Sequence, residues 1–388
     1  MQKQILIAPN AFKNSLSAID VAYAIKEGLQ GLSCQTKILP IADGGDGTID
    51  IIKQYLKKSK YVNCIVHDPL MRKIKSKWLC LNREIAVIEL AKASGIVLLK
   101  RNELNPLLAS TYGTGELVLD ALNKGCKKFI ISLGGSATVD AGIGILSALG
   151  VRFLNKKNEE LLPCGKSLKL IHKIDFRCLD KRVKQSEFIV LCDVQNPLLG
   201  KYGAVACYAQ QKGANKKMRL LLEKGMKNYI NVIEEIEKIE KNTRKKYFKL
   251  PMTGSAGGVA YSLFVILNAK LYQGFDYLAK LFPIKHEVKN ADLIITGEGY
   301  LDKQTMYGKG VYKLLDLAKL LHKPVVIVCG NYDRKVDWEK IGIEHVFAIQ
   351  EKGISALKSM QKAKQLIVKK VKSNSKIFVS AYHRLAHE

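Results

Sequence analysis

A strand-like run that opens directly into paired glycines constrains this chain more than any other feature. The segment Lys127-Lys128-Phe129-Ile130-Ile131-Ser132-Leu133-Gly134-Gly135-Ser136-Ala137-Thr138-Val139-Asp140 sets a β-branched apolar stretch before Gly134, Gly135, Ser136 and Thr138, with a carboxylate at Asp140. Paired glycines let backbone N–H groups approach a ligand closely, and hydroxyls add donors without bulk. At the carboxyl end of a parallel strand, such a loop holds an anion, most often a phosphate. A lone glycine loop serves a turn equally well, so its neighbours decide the reading.

Three similar junctions accompany it. Residues 36–48 form a strand pattern followed by Asp43 and Asp46 interleaved with Gly44, Gly45 and Gly47. Residues 187–197 place Asp193 and Asn196 just past an apolar run, and residues 292–302 place Glu298 and Asp302 past another, between Gly297, Gly299 and Tyr300. In open α/β sheets, ligands bind outside the carboxyl ends of the strands. Carboxylates gathered there bind a metal or act on protons. Glycine loops and several carboxylates together point to nucleotide phosphates with Mg²⁺, the pattern of a phosphotransferase.

At 388 residues the chain is long enough for two domains with sizeable cores. Its nine cysteines contain no Cys-x-x-Cys pair, which argues against a Cys-based zinc or redox motif. Cysteines in apolar runs suit reduced core thiols. The N-terminal apolar segment is too short for a signal peptide, and no run approaches the ~18 apolar residues of a membrane span. The expectation is a cytoplasmic protein with no membrane association. The formal charge of +28 raises the question of nucleic acid. The lysines are dispersed along the whole length, whereas specific modules concentrate basic residues with aromatics or a groove-entering helix. The reading is a solvated lysine-rich surface without specific nucleic-acid binding.

Strand and helix patterns alternate from end to end. A strand over 4–8 leads to a helix over 17–31 with Ser17 as N-cap. Three short strands over 61–67, 74–81 and 85–89 read as a local antiparallel piece. A helix over 113–125 precedes the Gly-Gly-Ser strand, and residues 215–240 carry Leu222, Met226, Tyr229, Ile233 and Ile236 at helical spacing as a packing stripe. From 292 onward a strand over 293–296, a helix over 310–322, strands over 325–329 and 345–348 and a final helix over 355–372 restore the alternation. The two ends share one sheet in this reading, and the middle is an insertion.

Several common motifs fail on one residue each. Gly165-Lys166-Ser167 lacks the Walker A glycine because position 160 is Glu160, and Gly308-Lys309 fails at Lys303. Gly113-Thr114-Gly115 has Val118 where a dinucleotide fingerprint needs glycine, and Ser136 is no nucleophile elbow because Thr138 follows at the second position.

Taken in order, the loops resemble the bacterial type I glycerate kinases. The resemblance lies in Pro9-Asn10-Ala11-Phe12-Lys13-Asn14-Ser15-Leu16-Ser17-Ala18, Ala42 to Thr48, Gly113 to Glu116, Gly134 to Asp140, Cys192 to Leu198, Gly254 to Gly258 and Thr296 to Lys309. It implies two α/β domains, a Rossmann-like parallel-sheet domain carrying an inserted second α/β domain, with the active site in the cleft between them. The expected division is 1–70 with 280–388 against 71–279. It also implies transfer of the γ-phosphoryl of ATP to D-glycerate, giving 2-phosphoglycerate, with Mg²⁺. Four positions depart from the family pattern: Asn10 for Asp, Ala11 for Ser, Val139 for Asn and Tyr300 for Arg.

Under that resemblance, the catalytic candidates are Asp193 as general base, Lys13 as a point-charge donor to a phosphate or carboxylate, Glu298 and Asp302. Gly134, Gly135, Ser136, Thr138, Gly297 and Gly299 are the candidates for ATP, and Asn10, Asp43, Asp46 and Asn196 for glycerate. Asp193 and Glu298 are the metal candidates. Mg²⁺ takes only one or two carboxylates, so at least two of Asp43, Asp46, Glu298 and Asp302 serve elsewhere, as in helix capping. The alternatives left open are another small hydroxy acid, a 3-phosphoglycerate product, a catalytically impaired nucleotide-binding homologue, and either a monomer or a homodimer.

Overall fold

The protein is described from a computed structural model covering residues 3–241, 246–302, 310–351 and 353–380. In chain order its strands are β1 (Lys3–Ile7), β2 (Cys34–Ile38), β3 (Lys60–His67), β4 (Lys73–Asn82), β5 (Ile85–Glu89), β6 (Lys128–Ser132), β7 (Arg152–Leu154), β8 (Lys173–Asp175), β9 (Glu187–Cys192), β10 (Lys270–Gln273), β11 (Leu293–Thr296), β12 (Tyr300–Leu301), β13 (Val325–Cys329), β14 (Asn331–Tyr332) and β15 (His345–Ala348). The chain divides into two compact units: Met1–Asp43 with Phe275–Glu388, and Gly44–Gly274.

The first unit is built on a parallel sheet in the order β15-β13-β11-β1-β2. The expectation that the two chain ends share one sheet is met. Ile5, Ile7, Ile295, Val326 and Val328 bury one face of it against Val21, Ala22 and Ile25 of α1 (Ala18–Gly28) and Ile367 and Val371 near the C-terminus. Helix α1 starts where Ser17 Oγ accepts the Asp20 N–H at 3.1 Å, as the sequence predicts. The final helix expected over 355–372 is instead two, Ala356–Gln361 and Ala363–Ser373. The break at Lys362 has a packing reason: the second piece buries Ala363, Leu366, Ile367 and Val371, whereas the first buries only Ser359.

The second unit carries a sheet in the order β10-β9-β6-β5-β4-β3. Strands β3, β4 and β5 are joined antiparallel, as expected, while β5, β6, β9 and β10 run parallel. Because β3 pairs with β4 along its whole length, a boundary at residue 70 would cut a hairpin. The unit therefore begins at Gly44 rather than 71, and ends at Gly274 rather than 279. Its core joins Trp78, Phe129, Phe188, Ile131 and Val190 of the sheet to Leu222, Met226, Tyr229 and Ile233 of the helix Lys216–Lys241. The stripe read as packing does pack. Phe129 of β6 stacks on Phe188 of β9 with ring centroids 5.0 Å apart, which locks the two strands whose ends carry the glycine loop and Asp193.

All nine cysteines are unbridged. Among the described residues no helix is long and apolar enough to cross a membrane. Phe129→Ala is expected to lower the unfolding free energy by about 3–5 kcal/mol. Urea denaturation checks this, and a loss under about 1 kcal/mol would mean that the stacked pair does not anchor the sheet.

Candidate functional site

In the second unit the parallel strands β5, β6 and β9 end side by side, and their following loops meet. The loop after β6 touches the Gly44–Gly47 loop backbone to backbone. Gly134 N–H donates to Gly44 O at 3.0 Å. A Cβ on Gly134 would lie 2.3 Å from Gly45 Cα, and one on Gly135 would lie 1.9 Å from Asp46 Oδ1. Gly135 is also left-handed, with φ +74°, so glycine is required there twice over. The rest of the loop is pinned by Gly135 O accepting Ile96 N–H at 2.8 Å and Ala137 N–H donating to Ser94 O at 2.9 Å. Among the described residues the N–H groups of Gly135 and Ser136 meet no acceptor. These two adjacent donors lie beside the Ser136 and Thr138 hydroxyls, the kind of donor arrangement to which an anion binds.

The helices that follow these loops do not present open N-termini. Helix α2 (Thr48–Tyr55) begins after Gly47, and the buried Glu89 at the end of β5 accepts Gly47 N–H at 3.0 Å and Ile49 N–H at 3.1 Å. Lys92, beside it in α3 (Ala91–Ser94), reaches Glu89 at 3.5 Å and Asp50 at 3.4 Å. Asp140 is fully buried and accepts from Thr111 N–H at 2.8 Å and Thr111 Oγ1 at 2.7 Å, where α4 (Tyr112–Asn123) starts. It also accepts from Gly142 N–H at 3.1 Å and Gly144 N–H at 3.4 Å, at the start of α5 (Ile143–Ala148). Burial pushes both carboxyls up, opposed by these donors and, at Glu89, by Lys92. These are therefore helix-capping carboxylates. Sequence reading assigned neither role, since a capping Glu or Asp brought in by tertiary contact has no local spacing.

Asp193 follows β9 half-buried. Next to it, burial pushes the Cys192 thiol up to about 12. Asn196 is fixed by Tyr208, whose hydroxyl donates to Asn196 Oδ1 at 2.6 Å, and its own Nδ2 donates to Tyr202 O at 2.8 Å and to Cys207 Sγ at 3.4 Å. The residue that sequence reading missed is Lys212. It is buried, and its Nζ donates to Ser136 Oγ at 2.9 Å and Thr138 O at 2.7 Å. Among many lysines, nothing in its local sequence marks it.

The first unit gathers a second set. Asn10 Nδ2 donates to Asp43 Oδ2 at 3.0 Å, while Asn10 Oδ1 accepts the Ala11 N–H at 2.7 Å. The departure at position 10 thus supplies a donor to Asp43 where a second carboxylate would repel it. Asn10 N–H donates to Gly297 O at 2.8 Å, and a Cβ on Gly297 would lie 1.7 Å from Val328 O. Close backbone approach accounts for that glycine without any ligand. Gly299 lies against Phe12 and the backbone of Lys13, whose side chain is exposed. Glu298 is buried and Asp302 half-buried; the motif's remaining residues, 303–309, fall outside the described residues. Burial raises the Cys329 thiol, and the Glu298 charge adds to the shift. Of the other departures, Val139 is a core residue and Tyr300 is an exposed strand residue paired with Asn331.

Asp140→Asn keeps one acceptor oxygen and brings two donors among four existing ones. It is expected to cost about 3 kcal/mol. Chemical denaturation tests this, and stability equal to the parent protein would mean that Asp140 does not hold the two helix starts.

Comparison with known proteins agrees with this geometry. The sequence profile of the glycerate kinase family matches residues 5–378. A glycerate kinase of Halalkalibacterium halodurans is 36% identical over 94% of this chain and 95% of its own length. The glycerate 2-kinase of Escherichia coli K12 is 34% identical over 89% and 90%. A crystal structure of a candidate glycerate kinase 2 from Salmonella typhimurium LT2 superposes with a TM-score of 0.78 at 30% identity, covering 98% of this chain and 99% of that one. With a family profile matched from end to end and relatives similar over their whole length, the chain belongs to the glycerate kinase family.

Proposed function

We propose that this protein transfers the γ-phosphoryl group of ATP to the 2-hydroxyl of D-glycerate, giving 2-phosphoglycerate and ADP. The observation that carries the phosphate reading is the pair of adjacent N–H donors at Gly135 and Ser136, beside the Ser136 and Thr138 hydroxyls at the end of parallel strand β6. Phosphoryl transfer asks a protein chiefly for positioning and charge neutralisation. In the reaction the 2-hydroxyl oxygen forms a bond to the γ-phosphorus, the bond from that phosphorus to the β,γ-bridging oxygen breaks, and the hydroxyl proton passes to a base. Asp193 is assigned as that base. Lys13 is assigned to an anionic oxygen as a point charge. Asn10, Asp43, Asp46 and Asn196 are assigned to glycerate, with Glu298 and Asp302 as further polar contacts, and Gly297 and Gly299 to the nucleotide side.

Mg²⁺ belongs to the same reading. Among the described residues there is no group of three or more His, Cys, Asp or Glu able to hold a metal. Mg²⁺ in such a reaction is carried mainly by phosphate oxygens and waters with one or two carboxylates. Asp193 and Glu298 are the residues assigned to it, and when bound it would neutralise phosphate charge. The unbridged cysteines support a reducing compartment, and we place the protein in the cytoplasm.

ADP release with MgATP and D-glycerate, with L-glycerate as control and phosphorus NMR of the product, tests the assignment. Turnover with D-glycerate alone and phosphate on the 2-hydroxyl is expected; phosphate on the 3-hydroxyl or turnover only with another hydroxy acid would replace it. Asp193→Asn is expected to lower kcat by ~10²-fold or more with the fold intact, and near-normal turnover would remove Asp193 from the base role. Lys13→Ala is expected to raise KM for ATP or glycerate more than it lowers kcat; unchanged constants would make it a surface lysine.

A further inference from the structure

Lys212 is held where a lysine is costly. It closes the short turn Gln210–Lys212, followed by Gly213 at φ +95°, where a Cβ would lie 2.2 Å from Leu104 O. That contact fixes the turn and drives the Lys212 side chain into the interior, leaving the residue 4% exposed. Its ammonium has three N–H donors, and two go to Ser136 Oγ and Thr138 O. Both acceptors are neutral. Asp193 and Asp140 act on it through space, and Asp140 already accepts four hydrogen bonds. A buried cation without a close counter-charge is unfavourable, and burial accordingly pulls its pKa down to about 8. A neutral donor would serve two uncharged oxygens with no charge to desolvate. The charge is thus met by Asp193 and Asp140 only from beyond ion-pair distance, whereas a ligand anion at this loop would meet it directly together with the Gly135 and Ser136 N–H groups.

We propose that Lys212 is a further substrate-binding residue of the reaction: two of its N–H groups hold the Gly134–Thr138 loop, and the third, with the ammonium charge, binds an anionic oxygen of the reactants. The inference rests on the phosphate reading of that loop. The expected source of the oxygen is a nucleotide phosphate; a glycerate carboxylate presents the same chemistry and is separated in the test.

Hydrogen exchange on the parent protein comes first, with AMP-PNP and magnesium chloride or with D-glycerate. Slower exchange at Gly135 and Ser136 is expected. No protection by either compound would overturn both the loop reading and the proposal. Lys212→Gln then keeps two donors and removes the charge. It is expected to fold and melt like the parent protein, and to bind AMP-PNP roughly tenfold to a hundredfold more weakly. A rise confined to KM for D-glycerate would support the proposal with the carboxylate as the anion. Parent-like values of kcat, both KM values and AMP-PNP affinity would overturn it and leave the loop reading standing.

A measurement on the parent protein decides the matter should the variant not fold. The titratable groups acting on Lys212 are Asp193 and Asp140, and Tyr208 faces Asp193. With its pKa lowered to about 8, Lys212 carries its charge below that pH and loses it above. Affinity for whichever compound protects the loop should fall severalfold between pH ~7 and ~9.5; constant affinity would overturn the proposal.

Discussion

The backbone contact between the Gly44–Gly47 and Gly134–Gly135 loops is the constraint on which the second unit's candidate site depends. It brings two carboxyl-end loops closer than any side chain allows, with Asp46 Oδ1 occupying the space of a residue-135 Cβ. Helix α2 leaves the first of these loops and is tied back by Glu89 from the end of β5. The second loop is stitched to Ser94 and Ile96 just beyond that same strand. The ends of β5 and β6 are thereby joined to the start of α2 through backbone contacts and the Glu89 carboxylate, which limits how far the loops can drift.

Buried carboxylates hold the helix starts, and this alters the simplest picture of anion binding. A glycine loop leading into a helix invites the thought that the helix N-terminus receives the phosphate. Here Glu89 and Asp140 already accept those donors, from β5 and from the turn before α5. The donors left in the loop lie one turn earlier, at Gly135 and Ser136. The protein has its own anions at its helix dipoles, so under the proposed function a ligand anion would meet the loop and the Lys212 cation behind it.

Most of the architecture was legible because it is written in local patterns. The β-branched runs gave β6, β9, β11, β13 and β15, and the Ser17 cap gave the start of α1. That the two chain ends share one sheet, and that β3, β4 and β5 form an antiparallel piece, followed from the strand and helix alternation, whereas the strand orders came only with the structure. The domain boundary was not legible, because residues 44–59 carry no composition change and join the second unit through contacts distant in the chain, among them Gly44 to Gly134, Gly47 and Ile49 to Glu89, and Asp50 to Lys77 and Lys92. The loops with paired glycines were legible, since they need particular residues at consecutive positions. Lys212 was not, because its significance arises from burial and from acceptors more than seventy residues away in the chain. The capping roles of Glu89 and Asp140 were hidden for the same reason, whereas the close approach at Gly297 simply shows that a motif glycine can have a packing cause.

The thiols have a consequence for how this protein meets oxidants and alkylating agents. Cys192 and Cys329 directly adjoin candidate carboxylates, yet burial holds both as neutral thiols. Because the thiolate is the reactive form, these cysteines are chemically quiet despite their position. Cys207 is exposed, and its sulfur accepts a hydrogen bond from Asn196 that opposes the rise partial burial gives its thiol. An adduct at this surface sulfur would displace the hydrogen bond that Asn196 Nδ2 donates to it, so alkylation from solvent would reach the loop after β9 without entering the core.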